Sequence, residues 1–268
     1  MIRSFSFLLL CVSTLFFSQV NRFYYELTYK PNSKSTDKET ILTILDTDKD
    51  KSLYLNQDLA RYDSIIIASQ EHSDQFANFD WVQFNKNLPK NSVKIIKEKG
   101  RITQKEYIGE MNNYNYAEKL NLKWKLDKET ATVQKYNTQK ATTDFGGRTW
   151  TAWFTSEIPI NEGPYKFFGL PGLIVKIEDS EHEYSWELKG NILCKTNCNI
   201  QFDSLNERQI GSINISKEKI KQLRRNYAKD PLQGADVVNP NIDPNLLREY
   251  KNILIKKISY YDNPIERN

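Results

Sequence analysis

Large apolar and polar residues alternate with a period of two along much of this chain, and the alternation limits the folds that the chain can adopt. It is clearest at residues 22–29, 122–127 and 184–188, where every second residue is large and apolar. A strand with this pattern has one buried face and one face in water. Such strands are typical of antiparallel sheets, because parallel sheets are covered on both faces. The sequence therefore predicts a β-rich protein of the α+β class, built on an antiparallel sheet.

Turn motifs separate neighbouring predicted strands at three places. Lys99-Gly100, Gly146-Gly147 and Asp179–His182 each lie between two segments with a strand pattern. Turns of this composition connect antiparallel neighbours, since glycine accepts a positive φ without a steric cost. We therefore expect three hairpins.

Helical patterns are confined to three segments. Ser216 can cap a helix that runs to about Ala228, and Asp243-Pro244 can begin a helix that runs through about Ile255. Serine and aspartate side chains accept the first free amides of a helix, and proline suits its first turn. Residues 58–69 show a weaker helical pattern. Since no repeat or linker divides the chain, residues 19–268 are expected to form one domain with two or three helices.

Residues Met1 to Ser18 have the pattern of a secretory signal peptide. Arg3 precedes an uncharged apolar run from Phe5 to Phe17, and small or polar residues follow. The run is shorter than the roughly 20 residues that a transmembrane helix needs. We therefore expect an exported protein, in the periplasm or at the outer membrane, with no transmembrane segment after cleavage.

Cys194 and Cys198 are the cysteines that remain outside the predicted signal peptide. In an oxidising compartment such a pair is typical of a disulfide that closes a short loop. A metal pair or a redox dithiol would be the alternatives, but neither histidine is near in sequence and the spacing differs from that of thioredoxin-like motifs. We predict a structural disulfide.

Charge and composition argue against several classes of site. The 38 Lys and Arg residues against 34 Asp and Glu residues give a net charge of +4, which offers no electrostatic reason to expect a nucleic-acid partner. Asp46, Asp48 and Asp50 resemble the start of a calcium loop. However, Lys51 stands where that loop needs glycine, and Gln57 stands where it needs a bidentate carboxylate. The sequence predicts no metal and no cofactor.

His72 and His182 are the side chains whose ordinary pKa lies near neutrality. Neither is next to a nucleophile motif, and the chain has no phosphate-binding glycine loop or zinc-protease motif. No catalytic residue is predicted.

Residues 217–229 carry six lysines and arginines against one acid, Glu218. A basic amphipathic helix can contact anionic lipid headgroups. A solvated polar face above an ordinary apolar stripe is the simpler interpretation, and we adopt it here.

The most specific pattern lies within residues 140–176. There the turn elements Gly163-Pro164 and Pro171-Gly172 flank a cluster of aromatic residues. The predicted structural motif consists of Gly147, Arg148, Gly163, Pro164, Gly169, Leu170, Pro171, Gly172, Leu173 and Ile174. The predicted ligand-binding or partner-binding residues are Trp150, Trp153, Tyr165, Phe167 and Phe168. The simpler alternative is that this segment is a buried connection that closes the sheet.

This string resembles the GLPGLI family, secreted proteins of Bacteroidetes-type bacteria named for the run Gly169–Ile174. Residues 25–29 are similar to the opening strand of that family, and residues 263–266 are similar to its usual close. Family members commonly carry a cysteine where this chain has Thr138. Any cysteine-dependent role at that position is therefore absent or dispensable here. The family has no established activity, so the resemblance implies secretion and the motif but no reaction.

Two classes of function remain open. The first is a non-enzymatic envelope protein that binds an envelope or outer-membrane partner, or an apolar ligand. A curved antiparallel sheet with helices at one side, in a chain with 12% aromatic residues, is similar to the half-barrel of lipoprotein carriers. The second is an envelope hydrolase with an unfamiliar site. A pocket that gathers a histidine with acids would favour the hydrolase, whereas a pocket lined by aromatic side chains would favour binding.

Overall fold

The computed structural model describes residues 20–72, 93–108, 113–194, 211–232 and 243–267. Within these ranges the chain forms twelve strands and three helices. They are β1 (Val20–Tyr29), β2 (Glu39–Thr47), β3 (Lys51–Asn56), α1 (Gln57–Glu71), β4 (Lys94–Glu98), β5 (Arg101–Tyr107), β6 (Asn113–Lys119), β7 (Lys125–Val133), β8 (Tyr136–Phe145), β9 (Arg148–Thr155), β10 (Leu173–Asp179), β11 (Tyr184–Cys194), β12 (Ile213–Asn214), α2 (Lys217–Lys229) and α3 (Pro244–Tyr260).

These strands belong to one sheet, in the order β12-β6-β5-β4-β3-β2-β1-β11-β10-β9-β8-β7. Neighbouring strands are antiparallel, apart from the short parallel pair of β12 and β6. On one side of β1, strands β2 to β6 follow in chain order. On the other side, the strands follow in reverse chain order, from β11 to β7. The predicted fold, a β-rich antiparallel sheet with a few helices, is confirmed.

The connection between β6 and β7 shows that the sheet is strongly curved. In a flat sheet the ten intervals between these two strands would separate them by about 48 Å. Residues 120–124 join them, and so short a segment spans only about 20 Å when fully extended. The sheet must therefore roll until its two ends approach each other, which creates a concave and a convex face.

The same connection corrects the predicted strand at residues 122–127, because β7 begins only at Lys125. Leu122 and Trp124 instead pack against the core as the chain crosses from one end of the sheet to the other. The Trp124 indole Nε1 donates to the Phe168 carbonyl oxygen at 2.8 Å. The period of two is therefore real, but here it comes from a crossing segment with one buried side.

The main core lies on the concave face. One cluster of buried side chains joins Leu45 of β2 and Ile102 of β5 to Ala141 of β8. Strands from both halves of the sheet therefore enclose the same core. A smaller cluster, which includes Ile44 and Leu53, lies on the opposite face with Ala60 of α1 packed against it.

The three predicted hairpins are confirmed. Gly146 and Gly147 both have a positive φ, of 61° and 76°, as the favoured two-residue hairpin turn requires. Lys99 and Gly100 repeat this arrangement, with φ of 50° and 77°. Between β10 and β11, the His182 amide donates to the Asp179 carbonyl oxygen at 3.0 Å.

The predicted helix starts are also confirmed. The Ser216 hydroxyl accepts the Lys219 amide at 3.1 Å, and Asp243 Oδ1 accepts the Asn245 amide at 2.8 Å. Helix α3 continues to Tyr260, beyond the predicted end at Ile255. Among the described residues, no helix is both long and apolar enough to cross a membrane. The predicted signal peptide and Cys198 lie outside the described residues.

Candidate functional site

The loop between β9 and β10 folds back into the concave side of the sheet. We call residues 163–172, which contain most of the predicted motif, the core loop. Phe167 is fully buried, with its ring centre 4.8 Å from that of Trp150 and 6.1 Å from that of Trp186. Tyr165 stacks on Trp186 at 6.2 Å. The core loop thus fills one part of the half-barrel with aromatic rings.

Two buried lysines hold the core loop in place. Lys97 Nζ, on β4, donates to the Gly163 carbonyl oxygen at 2.7 Å and lies 2.5 Å from a Glu162 carboxylate oxygen. Burial lowers the pKa of Lys97, and the Glu162 charge offsets part of that effect. Lys166 Nζ, on the loop itself, donates to Glu118 at 2.7 Å and to Glu266 at 2.6 Å.

Two glycines of the core loop meet close neighbours. A Cβ at Gly163 would lie 2.6 Å from Ile174 Cδ1, and a Cβ at Gly172 would lie 2.0 Å from the Thr155 carbonyl oxygen. The positive φ expected at Gly172 is present, at 146°. Its amide donates to the Leu170 carbonyl oxygen at 2.8 Å. The turn is therefore centred on Pro171 alone and is one residue tighter than the predicted β-turn.

Arg148, at the start of β9, binds the carboxyl-terminal tail, defined as residues 263–267. Its guanidinium is buried and donates to Asn263 Oδ1 at 2.6 Å and to the carbonyl oxygens of Pro264 and Ile265. It also donates to Asp179 Oδ2 at 2.6 Å and stacks on the Tyr184 ring. The Gly-Arg pair of the predicted motif and the residues that resemble the family's close therefore meet at one guanidinium.

Glu266 of the tail joins the core loop to helix α2. One carboxylate oxygen accepts from Lys166 Nζ and from the Tyr165 hydroxyl at 2.7 Å, and the other accepts from Lys217 Nζ at 2.7 Å. Burial would raise the pKa of Glu266, but the Lys166 charge and these hydrogen bonds hold it down to about 2. Glu118 on β6 accepts from the same two lysines. Two glutamates thus neutralise two lysines at this junction.

A cleft of about 640 Å³ remains open on the concave side, between the sheet, α2 and the tail. Its wall from α2 includes the buried side chain of Ile220 together with Lys217, Lys221, Arg224 and Arg225. We expected the polar face of this helix to be exposed to bulk water. In the structure, four cations of the helix line the cleft.

Six tyrosines also line the cleft: Tyr29, Tyr54, Tyr116, Tyr165, Tyr184 and Tyr261. Each hydroxyl is hydrogen-bonded within the protein. The partners are Glu39 for Tyr29 and Tyr261, Trp186 for Tyr54, Gln104 for Tyr116, Glu266 for Tyr165 and the Asn263 carbonyl oxygen for Tyr184. Because the hydroxyls already have hydrogen-bond partners, these side chains offer the cleft mainly their apolar ring surface.

The five aromatic residues predicted to bind a ligand or partner do not share one surface. Tyr165 lines the cleft. Trp150 and Phe167 have an exposed fraction of 0%, so nothing outside the protein touches them in this structure. Phe168 is half-buried against the core, and Trp153 points to the other face of β9, below Lys140. A binding role for Phe168 or Trp153 stays a prediction.

Most residues of the cleft were missed by the sequence interpretation. The strand pattern predicted that Tyr29 and Tyr184 face the core, but no local signal places them beside α2. The basic helix and the closing residues 263–266 were both noted, yet nothing in the sequence shows that they meet.

Neither histidine lines the cleft. His182 lies in the β10–β11 turn with its side chain 71% exposed, 3.7 Å from Glu178. His72 follows α1, where its amide donates to the Ala68 carbonyl oxygen.

The acidic residues that could be considered for a metal site are bound by arginines. Asp179, Glu181 and Glu183 each place a carboxylate oxygen within 4.8 Å of the others, close enough to share a metal ion. Arg148 and Arg267 already bind these carboxylates. The remaining candidate, Asp46, makes a two-pronged ion pair with Arg22, with both oxygens 2.7 Å from guanidinium nitrogens.

Comparisons with known proteins agree with the fold but identify no activity. A family model described as "Protein of unknown function (Porph_ging)" matches residues 145–176, which include β9, the core loop and the start of β10. No curated protein matches the chain. The chain is similar in structure to PNGF-II in two crystal forms, C2 and P21, each with a TM-score of 0.51 and 15% identity over 77% of this chain. It spans about a third of PNGF-II, 32% or 33% of that chain. At this identity the similarity shows the fold alone.

Replacing Gly172 by alanine is expected to destabilise the protein more than the same replacement of Gly169. Both residues have a positive φ, which costs an L-residue about 1–2 kcal/mol. Only at Gly172 would the new Cβ overlap a backbone oxygen, since nothing lies within 4 Å at Gly169. We expect a loss of about 1 kcal/mol for Gly169→Ala and of about 3 kcal/mol or more for Gly172→Ala. Chemical denaturation measures both, and equal losses would contradict the close approach.

Replacing Arg148 by methionine is expected to lower the free energy of unfolding by about 3–5 kcal/mol, because Asp179 would keep a buried charge without its partner. Arg267→Met is the matched control. Arg267 binds Glu181 and Glu183 at the surface, and we expect a loss of at most about 1 kcal/mol. Urea denaturation at neutral pH compares the two variants. Similar losses would show that burial of the Arg148 pair is not decisive.

Stability is expected to depend on the ionisation of Glu266. Its pKa is about 2 in the folded protein against an ordinary 4.5, so the stabilisation is complete above about pH 4.5. It is lost as the pH falls through 2, and its size is on the order of 3 kcal/mol. Denaturation at several pH values should show that the stability difference between the wild type and Glu266→Gln narrows from pH 6 to pH 2. A constant difference would show that the carboxylate is not held ionised.

Proposed function

We propose that this chain is an exported, non-enzymatic envelope protein of the GLPGLI type that binds a ligand with an apolar body in its concave cleft. The observation that carries the proposal is the cleft itself, an open volume of about 640 Å³ walled by tyrosine rings whose hydroxyls are already engaged. Ligand sites are typically concave and mostly apolar, with a few polar groups that fix orientation.

The chemistry of the cleft favours binding over hydrolysis. A general acid or base works best with a pKa near the operating pH. The pKa of Glu266 is held far below neutrality, and burial raises the pKa of Tyr54 to about 12. The pKa values of Tyr116 and Tyr165 are also raised by burial. These groups keep one protonation state around neutral pH, and they therefore suit a binding wall better than a proton-transfer site.

The remaining parts of the proposal rest on sequence. The match at residues 145–176 includes the complete Gly169–Ile174 run, which supports the assignment to the GLPGLI type. Export to the periplasm or the outer membrane rests on the signal-peptide pattern of residues 1–18.

Filling the cleft is expected to abolish binding of an apolar ligand. The probe is N-phenyl-1-naphthylamine, an uncharged dye that fluoresces in apolar surroundings, and we expect saturable binding at one site per chain. Ile41 lines the cleft and is only partly buried, so Ile41→Trp should fill space there and weaken dye binding by tenfold or more.

The matched control is Ile192→Trp, the same substitution at a side chain that is exposed near the end of β11. We expect it to leave dye binding unchanged, and thermal denaturation should show that both variants are folded. Equal dye binding by both variants, or no saturable binding by the wild type, would contradict the proposal.

A further inference from the structure

Among the residues that the structure describes, the cations around the cleft have carboxylate partners, with two exceptions. Five cations line the cleft: Lys217, Lys221, Arg224, Arg225 and Arg267. Three of them have carboxylate partners. Lys217 binds Glu118 and Glu266, Arg224 binds Glu106, and Arg267 binds Glu181 and Glu183.

Lys221 and Arg225 are the exceptions. Within the described ranges, neither has a carboxylate within ion-pair distance or a hydrogen-bonded side-chain partner. They lie four residues apart on α2, and residues at this spacing are neighbours on one helix face, with Cβ atoms about 5–6 Å apart. Both line the cleft. The cleft therefore carries two adjacent positive charges that no carboxylate of the described residues neutralises.

The position of these two cations relates them to the apolar wall. Arg225 is exposed and Lys221 is half-buried, so they lie where the cleft opens to water. The tyrosine rings and the buried Ile220 lie on the inner side. A molecule that contacts both the tyrosine rings and the two cations would have an apolar body inside the cleft and an anionic group at the opening of the cleft.

We propose that the ligand of this cleft is an anionic amphiphile, whose negatively charged oxygen group binds Lys221 and Arg225 while its apolar chain lies against the tyrosine rings. This inference rests on the proposed binding function and adds the chemical class of the ligand. The head group keeps contact with water, so its contribution is that of a surface charge pair and is screened by salt.

The test compares ligands that share a twelve-carbon chain and differ in the head group. Laurate and dodecyl phosphate carry a carboxylate and a phosphate, dodecanol is neutral, and dodecyltrimethylammonium is cationic. Displacement of N-phenyl-1-naphthylamine from the wild type measures each affinity. We expect both anions to bind about tenfold more tightly than dodecanol, and the cation to bind most weakly. Inorganic phosphate alone should not displace the dye, because it has no apolar body.

Variants of α2 locate the head group. Lys221→Gln and Arg225→Gln, singly and together, should remove the preference for the anions and leave dodecanol binding unchanged. Lys219→Gln and Lys229→Gln are the matched controls, since both lysines are exposed on the same helix and do not line the cleft. The controls should keep the anion preference, which should also weaken as the salt concentration rises.

Each contrary outcome has a distinct meaning. If dodecanol and laurate bind equally well to the wild type, the head-group assignment is wrong while the binding function stands. If the dye itself does not bind, the proposed function is wrong. If all four single α2 variants reduce laurate binding to a similar extent, the helix attracts anions through its overall charge, as it would at an anionic lipid surface, and the specific site is wrong.

Discussion

The buried guanidinium of Arg148 is the interaction on which the rest of this structure depends. It joins the start of β9 to the β10–β11 turn through Asp179 and to the carboxyl-terminal tail through Asn263. A buried charge without its partners is strongly destabilising, so these groups stabilise the fold only when they are all in place. The tail in turn places Glu266 against Lys166 of the core loop and Lys217 of α2. One arginine therefore holds the segment that connects the sheet, the core loop and the helix beside the cleft.

The cleft exists because the half-barrel is filled unevenly. The core loop occupies one part of the concave side with Phe167 and Leu170, which are almost completely buried. Elsewhere the concave side is covered by α2 and the tail, which meet the core loop through ion pairs around Glu266 and Glu118. The space left between them is lined by tyrosine rings from the sheet and by cations from the helix.

The same arrangement supports the proposed binding of an apolar body. Tyrosine side chains in a core combine a large apolar ring with one polar atom that needs a partner. Here those partners come from the protein itself, as with Glu39 for Tyr29 and Gln104 for Tyr116. The rings are thereby fixed in orientation, which reduces the entropy that a ligand must overcome when it binds. Helix α2 then supplies charge at the opening, where water remains in contact.

Local patterns in the sequence predicted β1, the strands of the three hairpins and the helix starts at Ser216 and Asp243, because each depends mainly on neighbouring residues. The same patterns misplaced the strand at residues 122–127. The period of two placed Tyr25 and Trp186 in buried positions, paired glycines marked the β8–β9 turn, and Ser216 marked the start of α2. Only the tertiary structure decided where the cleft lies, because its walls come from segments far apart in the chain. Arg148 and Asn263 are separated by 115 positions, and no local rule pairs them. Aromatic content alone also could not separate Trp150, which the core absorbs completely, from Tyr165, which faces the cleft. That difference depends on which side chains of the sheet and the core loop remain uncovered once the sheet has curved around the loop.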